Sequence, residues 1–388
     1  MEHFAGIDVS LEQSSVCVVD ATGRIVREAE VASEPEALVA WFRGLGLEVA
    51  RVGLEAGPLS QWLYAAMRAA GLAVELLETR HVRDAFKAMP VKTDRKDARG
   101  IAQLMRLGWF RPVHCNSVPA QATRALLTAR KLLQSKHLDV EMSLRGVLRG
   151  FGLKVGPTTP RSFPGRIREL VEGHPTLVAV AGALLAARDA PGEQLRGLDK
   201  RLRDQAREDE RARLLMTTPG VGVIVALTFV SAVDDPARFR SSKAVGAHFG
   251  LTPRKYQSGE TDVTGRISKI GDAGARTALY EAANIILTRP VEGSALKSWA
   301  ARLALRAGTR EAKVALARKL AVVLHRMLAD GTPFVAARRR GGLRQGRKRQ
   351  GFGRSKAPAA RSEVPSPGRW IGPGRNRQSG AARTTARC

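Results

Sequence analysis

The chain has 388 residues, 44% of them hydrophobic, and its 64 Lys and Arg against 36 Asp and Glu leave a formal net charge of +28. That apolar share supports real cores in two or three domains, and a field of this sign draws polyanions before any specific contact forms, so nucleic acid is the expected partner. No apolar run approaches the ~20 residues of a membrane-spanning helix, no basic-then-apolar leader opens the chain, and Cys17, Cys115 and Cys388 are too scattered for a disulfide framework or zinc knuckle; a soluble intracellular protein without membrane contact is expected.

Residues 4–9, 15–19 and 24–29 read as three short strands about the turn 20–23, an antiparallel meander. The period then changes: helix over 34–42, strand over 51–54, helix over 59–70, strand over 72–77, and helices over 83–89 and 94–107. A mixed sheet with helices packed on it is predicted for 1–112, the layout of an RNase H-like α/β domain. Pro112 and Pro119 bracket a break. Beyond it Leu126, Leu133, Val140 and Val147 recur every seven residues, with Leu144 and Phe151 on the same side, which predicts a long helix with a coiled-coil seam. Gly150, Gly152 and Gly156 with prolines 157, 160 and 164 stop it, and a second amphipathic helix runs over 193–215, so 113–216 reads as a helical spacer.

The segment 217–335 reads as a mostly α domain, with helices over 221–230, 242–249, 273–288, 294–307 and 311–328. Pro219-Gly220-Val221-Gly222 opens it like the hairpin of a helix-hairpin-helix unit, in which free N–H groups at a helix start face a DNA phosphate, and it reads equally well as a tight turn. Between the second and third helices lies a glycine-bounded loop centred on Ser258, with Arg254, Lys255, Arg266, Lys269 and Arg276 around it; a hydroxyl among cations suits attack on a phosphodiester whose oxygens the cations hold. From 336 the composition collapses: residues 338–388 carry fifteen Lys and Arg against one acid, Glu363, about half of the net charge, and read as a disordered basic tail.

Four acids sit where metal chemistry wants them. Asp8 ends the first strand in G-I-D-V-S, Glu55 ends the fourth in V-G-L-E-A-G, and Asp94 and Asp97 lie three apart in K-T-D-R-K-D-A-R, on one face of a helix start. Hard oxygen ligands suit Mg²⁺, with Mn²⁺ as the alternative, and such ions stabilise attacking and leaving oxygens in phosphoryl transfer. Asp94 and Asp97 also suit a first helical turn behind a Thr93 cap, whereas an acid at the end of an apolar core strand is costly without a partner.

G-I-D-V-S, G-L-E-A-G, K-T-D-R-K-D-A-R, P-G-V-G, G-L-T-P-R-K-Y-Q-S-G and R-I-S-K-I-G-D-A-G-A-R, in this order, resemble the DEDD-type transposases of the insertion sequence one-ten family, over nearly everything from Phe4 to Pro333. The resemblance implies a RuvC-like domain whose Asp8, Glu55, Asp94 and Asp97 bind Mg²⁺, and a C-terminal transposase domain whose Ser258 attacks DNA to leave a phosphoserine link. It further implies donor and target DNA paired to a non-coding bridge RNA, a composite site within a homodimer or homotetramer, and a bacterial, cytoplasmic, nucleoid-associated location. After Glu55 the chain reads A-G-P where many relatives carry a hydroxyl residue. The rival readings are a Holliday-junction endonuclease that hydrolyses DNA with water, and a non-catalytic nucleic-acid-binding protein.

Overall fold

The computed structural model describes residues 2–87, 92–290 and 295–336. Strands β1 (His3–Val9), β2 (Gln13–Asp20) and β3 (Ile25–Ala32) form an antiparallel meander, and β4 (Val49–Glu55) and β5 (Val74–Leu77) extend the sheet in parallel on the other side of β1. The strand order β3-β2-β1-β4-β5 puts β1 at the centre, between β2 and β4, where both faces are covered.

Alternation along the central strands assigns the two faces. Ala5, Ile7, Val52 and Leu54 point to helices α1 (Pro35–Gly44) and α2 (Ser60–Ala69), whose Leu38, Phe42, Leu63 and Met67 complete one core. Phe4, Cys17 and Val19 point the other way, onto α4 (Asp94–Leu107) with its Ala98, Ile101, Ala102 and Met105, and α3 (Thr79–Ala85) adds Val82. Each such large side chain contributes about 1.5–3 kcal/mol by leaving water. The helix expected over 83–89 lies earlier in the chain, as α3, and residues 88–91 fall outside the described residues.

The spacer departs from the expected seam. Helix α5 (Val118–Gly150) runs antiparallel to α7 (Pro175–Glu208): Gln205 donates to Thr123 at 2.6 Å, Arg130 pairs with Asp199 at 2.6 Å and the His137 ring meets the Arg188 carbonyl at 3.0 Å. Leu144 and Leu148 are buried, but Val147 and Phe151, predicted on the same stripe, are 37% and 63% exposed. A straight helix drifts away from a strict seven-residue repeat, so the buried stripe moves from Val147 to Leu148. Helix α6 (Phe163–Val171) occupies a stretch whose prolines read as a stop; Pro164 stands in its first turn, where a missing N–H costs nothing. The second spacer helix begins well before residue 193, because the apolar run 177–187 is the first half of α7, and it ends at Asp209, which caps α8 (Glu210–Met216).

Helices α9 (Val223–Val233), α10 (Ser242–His248), α11 (Ala273–Thr288), α12 (Ala295–Ala307) and α13 (Thr309–Asp330) form the C-terminal layer. Its core gathers Phe229, Val230, Phe249, Leu279, Ile286, Leu316, Leu320 and Leu324 with Leu202 and Leu215 from the base of the spacer. The segment expected as a loop about Ser258 is instead a two-stranded hairpin, β6 (Pro253–Ser258) and β7 (Thr261–Ile267). Gly259 supplies the positive φ of 54° that a tight hairpin turn demands at its first position. The predicted basic tail over 338–388 lies outside the described residues. Among the described residues no helix is long and apolar enough to cross a membrane.

Candidate active site

Asp8, Glu55, Asp94 and Asp97, three of which stand on separate elements, line one cavity of about 440 Å³. The backbone geometry behind this is simple. Gly6 and Asp8 are two residues apart on β1, Gly53 and Glu55 two apart on β4, and Gly6 pairs with Gly53; each acid therefore continues the sheet face that its glycine begins. A Cβ on Gly6 would stand 2.3 Å from the Ala102 nitrogen and the Ala98 oxygen, and one on Gly53 2.7 Å from Ile101 Cγ2. Only glycine lets α4 lie this close, and the same approach brings the first turn of α4 beside the strand ends.

That turn is fixed twice. The Thr93 hydroxyl accepts from the Lys96 N–H at 3.3 Å, capping α4. Glu28 on β3 accepts from Arg95 Nε at 2.8 Å, from Arg99 Nη2 at 2.8 Å, and from Arg99 Nε. The hydrogen bonds from Arg99, then those from Arg95, hold the Glu28 carboxyl down at about 2 despite its burial. Glu28, Gly6 and Gly53 are the supporting residues that motif reading passed over; the signal for the glycines was their place two residues before each acid.

Asp97 is buried, Asp94 exposed, and Asp8 and Glu55 half-buried. Burial first, then the charges of Asp97 and Asp94, pushes Asp8 up to about 6, and burial followed by the Asp8 charge raises Glu55. Lys92 lowers both, and its Nζ stands 3.6 Å from Asp97 Oδ2. Four carboxylates repelling one another in a half-dry cleft are a hard-oxygen donor set with unmet negative charge, the chemistry that suits Mg²⁺ or Mn²⁺. Among the described residues, however, no three His, Cys, Asp or Glu side chains are grouped closely enough to hold an ion as they stand. The donor type fits a divalent cation, while Lys92 supplies part of the countercharge in the present arrangement.

Ser258 is not in this cavity. It is the last residue of β6, exposed, opposite Thr261, and among the described residues nothing hydrogen-bonds its hydroxyl. The cations expected around it are dispersed: Lys255 pairs with Asp262 at 3.3 Å, while Arg254 donates to the Ser268 carbonyl and Arg276 to the Phe249 and Gly271 carbonyls. At a rise of roughly 3.4 Å per residue, Lys255 is about 10 Å along the strand from Ser258, and Arg254 and Arg266 farther, at the hairpin base. Lys269 follows β7, with a φ of 57°. Gly220, with φ 79°, is pressed against α11, its α-carbon so close that a Cβ would come within 2.9 Å of the Ala282 oxygen; Gly222 is exposed and starts α9.

Residues 5–152 match a family model described as Transposase, the DEDD kind of IS110, and residues 212–297 match the Transposase IS116/IS110/IS902 family. The transposase for insertion sequence element IS1111A of Coxiella burnetii is 28% identical over 330 residues, covering 83% of this chain and 88% of its own. The transposase for insertion sequence element IS1328 of Yersinia enterocolitica is 28% identical over 270 residues, covering 68% and 79%. Among solved structures, T. thermophilus RuvC in complex with Holliday junction substrate aligns its whole chain with 29% of this one at 18% identity and a TM-score of 0.24.

Proposed function

Because the chain belongs to the IS116/IS110/IS902 transposase family, whose members cleave and rejoin DNA, we propose that its RuvC-like domain and its Ser258 hairpin share one strand-transfer reaction. The observation that carries this reading is the convergence of Asp8, Glu55, Asp94 and Asp97 on one cavity. These four would hold the divalent cation, which when bound offers Lewis-acid relief of charge on phosphoryl oxygens.

The chain's own residues supply the rest. The Ser258 hydroxyl, exposed at the end of β6, gives up its proton and its Oγ bonds to phosphorus as a bridging P–O bond to deoxyribose breaks; the leaving deoxyribose oxygen takes up a proton. With Ser258 outside the acid cavity and nothing among the described residues hydrogen-bonding its hydroxyl, the serine of one subunit meets the carboxylates of another in a homodimer or homotetramer. Gly222 leaves the first N–H groups of α9 open to a phosphate, whereas Gly220 acts through packing. Pairing with donor and target DNA falls to a bridge RNA, consistent with a net charge of +28 spread over many cations rather than a single reading helix.

The test is strand cleavage of donor and target DNA with the element's non-coding RNA, in Mg²⁺ and in chelator. Asp8→Asn, Glu55→Gln, Asp94→Asn and Asp97→Asn should each lose about a thousandfold or more, and chelator should abolish cleavage. Ser258→Ala separates the two readings: loss of cleavage supports the serine reaction, whereas retained Mg²⁺-dependent cleavage identifies a RuvC-like nuclease that uses water. Full cleavage by the carboxylate variants would refute the carboxylate site, and DNA binding without cleavage by the wild-type protein would leave a nucleic-acid-binding protein.

A further inference from the structure

Away from the carboxylates, a groove of about 810 Å³ lies between the base of the β6–β7 hairpin and helices α12 and α13. Its composition is divided. The floor is apolar, with Leu251, Ile267, Val314 and Val322, and Trp299 of α12 stands in its wall. The rim is cationic: Arg266 and Lys269 from the hairpin side, Arg310, Arg318 and Lys319 from α13. Glu311 is the single acid among the described lining residues, and none of the four cations Arg266, Lys269, Arg310 and Arg318 has a carboxylate partner among the described residues. The stem of Arg318 lies across α10, where only the missing side chain of Gly246 leaves room, with Cγ 3.0 Å from a Cβ built there. Lys319 Nζ stands 4.3 Å from the Trp299 ring centroid.

We propose that this groove binds single-stranded nucleic acid, taking an unstacked base on Trp299 and the apolar floor and its flanking phosphates on the cationic rim. The two chemistries have to be met by one occupant. A duplex would use the rim, but its bases are stacked away from the floor. The chain's own segment 338–388 has an aromatic, Trp370, to offer, but brings fifteen Lys and Arg to a lining whose single acid among the described residues is Glu311. A second copy of this chain carries the same excess of positive charge. A single strand offers both a π-face and anionic flanks, which is how aromatic-and-basic grooves hold it without reading sequence. Lys319 covers the ring face much as a base would, and an exposed ammonium held by a ring gives way cheaply, moving to a phosphate when the base arrives.

This inference rests on the chain acting on nucleic acid, but not on Ser258 or the carboxylates. The experiment is photo-crosslinking of the full-length protein to 5-iodouracil-bearing oligonucleotides, as single-stranded DNA, single-stranded RNA and blunt duplex DNA, followed by peptide mapping. We expect single strands to crosslink to the peptide carrying Trp299 and duplex to do so weakly; comparison of the DNA and RNA arms identifies which strand the groove prefers. In anisotropy titrations Trp299→Leu should weaken single-strand binding roughly tenfold while Trp299→Phe retains most of it. Arg318→Gln and Arg266→Gln should each reduce the salt dependence by about 0.7 in log–log slope. The tail is identical in every variant, so the differences report the groove, and thermal melting checks that each variant folds. Crosslinks confined to other peptides, equal crosslinking of duplex at Trp299, or a Trp299→Leu protein that changes oligomeric state but binds single strands normally would overturn the assignment. Ser258→Ala should leave the crosslink intact, so failure of the serine reaction and failure of the groove are distinguishable.

Discussion

Replacing Glu28 by Gln tests whether the acid cavity depends on the clamp between β3 and α4. The Glu28 side chain is 11% exposed and is held by Arg99 and Arg95 at about 2, against an ordinary 4.5. That difference corresponds to at most about 3 kcal/mol; with Arg95 68% and Arg99 37% exposed, water and salt screen part of it, and about 1–2 kcal/mol is expected. Because the folded carboxyl is depressed, this stabilisation is complete above pH 4.5 and fades as pH falls toward about 2. Thermal unfolding at pH 7.5 should therefore show Glu28→Gln melting roughly 2–6 °C below wild type, with the gap narrowing below pH 4.5. Arg95 and Arg99 flank Asp97 on α4, so DNA cleavage should fall by more than the unfolded fraction explains. An unchanged melting temperature at pH 7.5, or a gap that widens in acid, would refute the reasoning.

Asp8→Asn should do the opposite to stability. Asp8 is raised from 3.8 to about 6, so its penalty is absent below about pH 4 and complete above about 6; removing it should stabilise the metal-free protein at pH 7.5 by roughly 1–2 kcal/mol after screening, with no gain near pH 4, as thermal melts in chelator would show. Gly6→Ala should push α4 off β1 and cost roughly 3 kcal/mol or more, with loss of cleavage, measured by denaturant unfolding. Gly220→Ala should cost roughly 2 kcal/mol or more through its positive φ and the contact with Ala282, while affinity for DNA in the folded fraction stays unchanged.

Much of this arrangement was legible in the residues because it depends on local pattern. A run ending in G-I-D and another ending in G-L-E mark two strand ends, and Thr93 with Asp94 and Asp97 marks the start of α4. The face rule of period two then places Asp8 and Glu55 together once the strands are neighbours. What period cannot give is partner choice between distant elements. The Glu28 clamp joins residues about seventy positions apart, and nothing near Glu28 announces it. The seven-residue repeat in α5 suggested a seam continuing to Phe151, but α7 folds back along a face defined by Leu144, Leu148 and a polar ladder through Arg188, and the repeat ends in solvent. Around Ser258, glycine and charge suggested a loop because both strands of the hairpin are exposed and lack the apolar alternation that a half-buried strand displays.

The proposed reaction joins a carboxylate cavity to a serine that stands elsewhere in the same chain, and the adduct between Ser258 and DNA tests that union most directly. Wild-type protein, Mg²⁺, the element's non-coding RNA and labelled donor and target DNA would be reacted, denatured and digested, and the labelled peptide sequenced. The account predicts a DNA-linked peptide whose modified residue is Ser258, absent in Ser258→Ala and absent in Asp8→Asn. Strand cleavage at normal rate with no protein-linked DNA, or an adduct mapping to another residue, would contradict it.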